Sequence, residues 1–228
     1  MKSYTKQEII EKCEKALKDV KSFYKGRFIN YSGKTSDTHE FYTEIIADFV
    51  IKNISEFEKI PVITRESSYN TDTHKGEFDE NSPRIEEITA MKLFNQSKAG
   101  YKFNKIGEVI DYQTPLKNKQ VDEAGKIDLV SVNGKIIYLL ELKKEKSPET
   151  MLRCVLEGYT YLKTIDAEKF KKNFKLAQDS VLKASPLVFI NSKQWKEMQE
   201  ERPKLNELIK LLDCEPFYLK QEIVYEID

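Results

Sequence analysis

The stretch from Lys126 to Lys143, KIDLVSVNGKIIYLLELK, is two β-rich runs broken by Asn133-Gly134. Such a break is the strongest short-range hairpin signal, because a type I′ turn needs positive φ at both central residues. With Asn133-Gly134 as the loop, Val132 faces Lys135, and the register continues through Val130–Ile137, Asp128–Leu139 and Lys126–Glu141. Side chains alternate along a strand and cross-strand partners share a face. Asp128, Glu141 and Lys143 therefore point the same way as Ile137 and Leu139. A slip of one residue would turn Asp128 to the opposite face. Charges in apolar strands are costly unless they are paired or bind something together.

Two carboxylates on diagonal positions, roughly 7–8 Å apart at the backbone, can converge on one ion. Mg²⁺ takes hard oxygen ligands, typically a few carboxylates with water and phosphate oxygens. An adjacent ammonium such as Lys143 can help activate a water, or offset charge gathering on phosphorus. The acid-x-Lys form alone carries little, since Asp19-Val20-Lys21 shares it and is expected on an exposed helix. Context separates the two. Ile136–Leu140 is apolar on both faces, which predicts a central strand covered on both sides.

Ile127-Asp128, twelve intervening residues and Glu141-Leu142-Lys143 resemble the PD-(D/E)xK motif of the restriction-endonuclease-like nucleases, with Ile127 where proline is usual. The resemblance covers about residues 84–220, and the text from GEVIDYQTPLKNK through LRCVLEGYTYLKTID is similar to bacterial members with undefined substrates. It implies an α/β fold: an αβββαβ core with a central mixed four-stranded sheet flanked by helices, here with an N-terminal helical extension. It also implies phosphodiester hydrolysis, Mg²⁺ or Mn²⁺ as cofactor, and nucleic acid as partner, with DNA expected ahead of RNA. In that reading Asp128 and Glu141 hold the metal and Lys143 completes the catalytic set.

Superfamily members often add a Glu from the first core helix. At about 100° per residue, Glu87 shares a stripe with Ala90, Met91 and Phe94, and is the first choice as a further catalytic residue and metal ligand. Glu86, toward the edge of the arc beside Leu93, is the second. Charge complementarity to the helix N-terminus would also place acids there. Exonuclease-like branches carry Gln-xxx-Tyr on the helix after the motif; Glu157 and Tyr161 have that spacing without the Gln. Glu157 is expected to form an ordinary intrahelical pair with Arg153. Arg153, Lys144 and Lys146 are candidate contacts for backbone phosphates.

The remaining pattern divides the chain into residues 1–80, an N-terminal helical extension and polar loop, and residues 81–228, the nuclease-like core. Helices are expected over 4–25, 38–57, 84–94, 147–164 and 202–212, and further strands over 106–114, 186–190 and 216–219. The polar stretch Arg65–Ser82 reads as a mobile loop. Asp111 is expected to be structural or edge-exposed. Thirty-eight acidic and thirty-eight basic residues cancel, so a nucleic-acid surface must be local. Three cysteines without ligand spacing, and His39 and His74 outside any motif, point away from zinc. With neither a signal peptide nor a long apolar run, the chain is expected to be cytoplasmic and free of membrane. A homodimer is compatible with the sequence. The alternative function is a catalytically inactive nucleic-acid or protein interaction module on the same fold, and a third is a small-molecule phosphohydrolase.

Overall fold

The computed structural model describes residues 3–71, 73–117, 125–221 and 225–227. Thr5 opens the first helix with a capping box: its side chain accepts from the Glu8 amide, and Glu8 accepts from the Thr5 amide at 2.7 Å. That helix, α1, covers Lys6–Leu17, followed by 3₁₀ turns at Val20–Lys25 and Arg27–Asn30. Next come α2 (Tyr42–Lys52) and α3 (Ile54–Phe57), so each long helix expected here is divided in two. The core then runs α4 (Ile85–Lys98), β1 (Glu108–Pro115), β2 (Lys126–Asn133), β3 (Ile136–Lys143), α5 (Met151–Thr164), α6 (Ala167–Asn173) and β4 (Val181–Phe189). It closes with α7 (Lys193–Met198), α8 (Pro203–Leu211), β5 (Phe217–Gln221) and β6 (Tyr225–Ile227).

The fold is α/β, with one open mixed sheet flanked by helices. The sheet goes beyond the implied four-stranded core: among the described residues six strands lie in the order β1-β2-β3-β4-β5-β6, with β5 at the strand expected over 216–219 and β6 unexpected. The extra strands come from the C-terminal segment, where β5 runs parallel to β4 and β6 returns antiparallel. β1, β2 and β3 form an antiparallel meander. The crossover through α5 then brings β4 parallel to β3, which makes β3 an interior strand.

The hairpin register differs from the sequence reading by two positions. Val132 pairs with Ile137 and Asn133 with Ile136, leaving Gly134-Lys135 as the loop. Gly134 takes φ 59° while Lys135 stays out of the left-handed region, the pattern of a turn with glycine at its first central position. Asn133 is thereby kept in the strand, and its amide donates to the Lys105 carbonyl at 2.9 Å. A shift of two preserves parity, so every side chain keeps its predicted face.

Both faces of the sheet are covered. On one, Val130, Ile137 and Leu139 pack with α5, α8 and the N-terminal helices. On the other, Leu129, Leu140 and Leu142 pack under Ala90, Leu93 and Phe94 of α4. Residues of 1–80 thus share a core with 81–228: Ile9, Phe23 and Ile46 belong to the same buried cluster as Val155 and Leu208. The Arg65–Ser82 stretch is also packed rather than loose. Tyr69 is fully buried, its ring lies 5.4 Å from that of Phe170, and its hydroxyl accepts from the Asp166 amide at 3.1 Å.

Candidate active site

Because β3 alternates, Glu141 and Lys143 fall on the face that carries Ile137 and Leu139, under α5. Both are buried. Lys143 Nζ lies 2.6 Å from Glu141 Oε1, 2.9 Å from Glu149 Oε2 and 3.3 Å from Glu157 Oε2. Asp128 reaches the same end of the hairpin from β2. Its Oδ1 accepts from Gln113 Nε2 at 2.9 Å, and its Oδ2 from the Leu142 amide at 2.9 Å. The backbone pairing between the two strands runs as far as Leu129–Leu140, and this side-chain bond continues it.

α5 supplies the lid over these groups. Thr150 caps it by accepting from the Arg153 amide at 3.2 Å. Glu157 then projects toward β3, where it meets Lys143, and its Oε1 accepts from the Tyr161 hydroxyl at 3.0 Å. Gly158 keeps the helix close: a Cβ there would sit 3.9 Å from the Glu141 Cβ. Gly125, just before β2, leaves room for Tyr161, whose hydroxyl would be 2.1 Å from an added Cβ. Arg153 is turned inward. It donates to the Tyr24 carbonyl, stacks 4.5 Å above the Tyr24 ring, and lies 3.3 Å from Glu157 Oε2. That engagement leaves it committed within the protein, contrary to its expected role as a phosphate contact.

The charges at this strand end do not balance. Among the described residues, the five carboxyls of Asp128, Glu141, Glu149, Glu157 and Glu86 meet three cations: Lys143, Arg153 and, at Glu149, Lys193. Removal from water, with Glu86 and Glu157 adding to it, pushes the Asp128 carboxyl from 3.8 up to about 7, despite the opposing pull of Lys143. Burial, then Glu157 and Asp128, raise Glu141 as well, Lys143 again opposing. Burial acts to raise Glu157 too, but Lys143 and Arg153 outweigh it and hold that carboxyl low. Burial alone would lower the Lys143 ammonium; Glu141, Glu157 and Glu149 reverse this and raise it.

The structure brings Asp128, Glu141 and Lys143 together. For the acid from α4 it selects the other neighbour. Glu86 accepts from the Lys144 amide at 3.0 Å and acts electrostatically on Asp128. Glu87 instead pairs with Arg84 at 3.3 Å. The buried stripe of α4 runs through Ala90, Leu93 and Ser97, and Glu86 extends it by one helical step. Glu157 and Glu149 were not among the expected site residues. The only sequence signal for Glu157 was its spacing to Arg153 and Tyr161, which an ordinary surface helix shares. Lys144 and Lys146 both have exposed side chains.

The donor set suits a hard divalent cation in kind, since Asp128 and Glu141 offer carboxylate oxygens with a surplus of negative charge around them. As the side chains stand, Glu141 is turned to Lys143, and no group of three or more His, Cys, Asp or Glu among the described residues is arranged to hold a metal. A cleft lies alongside rather than over these carboxylates. It encloses about 600 Å³ and includes Glu145, Lys146 and Ser147 from the segment that follows Lys143. No helix among the described residues is long and apolar enough to cross a membrane. Compared with known protein families, curated proteins and solved structures, the chain matches none.

Proposed function

We propose that this protein is a metal-dependent nuclease that hydrolyses phosphodiester bonds of nucleic acid, with DNA the favoured polymer. One observation carries the reading: Asp128, Glu141 and Lys143 share a face at one strand end, where carboxylates outnumber cations. The succession of one helix, three antiparallel strands, a crossover through α5 and a parallel strand also supports it, since the PD-(D/E)xK resemblance implies that order.

Asp128 and Glu141 would hold Mg²⁺ or Mn²⁺, with Glu86 near enough to contribute charge. When bound, the cation supplies Lewis acidity toward the phosphoryl oxygens and acidifies a water. The chain's own residues do the rest. Gln113 and the Leu142 amide fix the Asp128 carboxylate. Glu157, steadied by Tyr161, keeps Lys143 Nζ at the strand end with its proton on. From there the ammonium can donate to the attacking water oxygen or to a non-bridging phosphoryl oxygen as negative charge builds. The water oxygen forms a new P–O bond and gives up its proton to solvent, while the P–O bond to the leaving alcohol breaks in line and that oxygen takes up a proton from solvent.

The engagement of Lys143 by three carboxylates favours a second reading, an interaction module without chemistry. A cleavage assay over single- and double-stranded DNA and RNA with 5 mM Mg²⁺ or Mn²⁺ separates the two. The nuclease reading expects cleavage that Asp128→Ala or Lys143→Ala abolishes. Residual activity equal in wild type and Asp128→Ala would show a contaminant and remove the assignment.

A further inference from the structure

The cleft beside the carboxylates has a construction of its own. Its near wall is the segment 144–150, which leads from Lys143 into α5. Two sides clamp that segment. From α7, Lys193 Nζ donates to the Pro148 carbonyl at 2.5 Å and Gln194 Nε2 to the Glu149 carbonyl at 2.8 Å. From the N-terminal side, the Thr150 hydroxyl donates to the Ile29 carbonyl at 2.8 Å, and Asn30 Oδ1 accepts from the Thr150 amide at 3.2 Å. The wall is therefore fixed relative to Glu149, whose carboxylate lies 2.9 Å from Lys143 Nζ.

The cleft's lining acids are largely occupied. Glu197 accepts from the Met151 amide at 2.8 Å, and Glu200 pairs with Arg202 at 2.5 Å. What remains is positive: Lys146 and Lys196 line the cleft with Glu145 as the counterweight, while Lys193 is committed to the Pro148 carbonyl. Lys146 and Lys196 are exposed, with no ion-pair partner among the described residues. Arg202 also lines the cleft and is buried, yet its Nε has no acceptor there. A protein without net charge needs a local patch to hold a polyanion. This is a concave one, adjoining the proposed site.

We propose that this cleft seats the sugar–phosphate backbone of the nucleic-acid strand held at the Asp128–Lys143 face, with Lys146 and Lys196 as phosphate contacts. The proposal rests on the nuclease reading and assigns a binding role to a surface built partly from residues 32–43, outside the hairpin and its helices. Lysine–phosphate contacts release counterions, so they show in the salt dependence of binding.

The test measures binding of a labelled 20-nucleotide strand to the full chain in EDTA, by anisotropy across 50–300 mM KCl. Lys146→Ala/Lys196→Ala should weaken binding about tenfold at 50 mM KCl and flatten the log–log salt slope by roughly 1.5. Its Tm should match wild type, because neither lysine holds an ion pair. A wild type that cuts nucleic acid while the double variant keeps its affinity and slope would overturn the cleft and leave the nuclease reading intact. A wild type that neither cuts nor binds removes both. Displacement of the strand by a mononucleotide at equal phosphate concentration would mark a small-anion site and overturn the extended track.

Discussion

Asp111 and Asp128 sit on neighbouring strands of one sheet in opposite circumstances. Asp111, on β1, is 4% exposed, and both its oxygens are matched: His74 Nδ1 lies 2.5 Å from one and the Thr114 hydroxyl 2.5 Å from the other. His74 also stacks on Tyr112 at 4.5 Å, and the Tyr112 hydroxyl accepts from the Gly76 amide at 3.0 Å, so the group ties residues 74–76 onto β1. Asp128 also has a donor on each oxygen, but the charge around it is not matched: five carboxyls gather against Lys143, Arg153 and Lys193. A buried acid on a strand is thus no mark of chemistry in itself. The useful criterion is whether the protein supplies enough opposite charge and donors to neutralise it.

The contrast breaks most sharply in cleavage. On the proposed chemistry, Asp128→Asn should lower the cleavage rate by at least ~10³, since it removes a carboxylate from the cation's coordination. Asp111→Asn should leave the rate within about threefold, because its partners serve packing alone. Equal losses at saturating Mg²⁺, with both variants folded, would show that the two acids do not differ in kind.

Lys143→Met comes next, because it combines a chemical and a structural loss. It deprives three carboxylates of their shared ammonium, and removing one partner of a buried ion cluster costs about 3–5 kcal/mol. Thermal unfolding in EDTA should drop by on the order of 10 °C. Adding Glu157→Gln to Lys143→Met should recover part of that Tm without recovering cleavage. If the second change lowers Tm further, the carboxylate surplus is not what destabilises the single variant.

Much of this arrangement was legible in the sequence, and the misses have identifiable causes. The hairpin and its shared face followed from alternation around Asn133-Gly134, which survives an error of two in register but would not survive an error of one. The loop itself was misplaced because Asn133 bonds the Lys105 carbonyl, a partner 28 residues away that no local pattern discloses. Glu86 and Glu87 differ by one step on α4, and the true buried arc through Ala90, Leu93 and Ser97 is set by what β1 and β3 present to it. Glu157 looked like half of a surface pair, since its burial depends on α5 docking over Lys143. The docking of residues 1–80 was opaque for the same reason: the contacts of Tyr24 with Arg153 and of Ile29 with Thr150 join residues more than a hundred positions apart.

Stability against pH sharpens the contrast at a smaller scale. Burial pushes the Asp128 carboxyl from its ordinary 3.8 up to about 7 in the folded protein, so between those values the folded state keeps a proton that the unfolded chain has lost. A raised carboxyl therefore subtracts stability as pH climbs through that window, and the loss is complete above it. Asp128→Asn should raise the Tm in EDTA at pH 8 by roughly 3–6 °C and have little effect at pH 4. Millimolar Mg²⁺ should raise the wild-type Tm at pH 8 by a few degrees through mass action, and leave Asp128→Asn nearly unmoved. A Tm in EDTA that rises from pH 5 to pH 8 only when Asp128 is present would reverse the sign and refute the charge surplus.

The smallest effect belongs to the balanced region. His74→Ala removes one partner of Asp111 and the ring stacked on Tyr112, while the Thr114 bond to Asp111 remains. Losing one hydrogen bond to a charged group costs about 1–2 kcal/mol, or roughly 2–6 °C in Tm. Cleavage should change by less than twofold, since nothing in the Asp111 group reaches Lys143. Amide exchange should report the loss locally: the Gly76 amide, held by the Tyr112 hydroxyl, should exchange at least ~10-fold faster, while the Leu142 amide, held by Asp128, keeps its protection. Faster exchange at Leu142 as well would mean that the two acids are coupled through the sheet, and that the balanced group helps to position the unbalanced one.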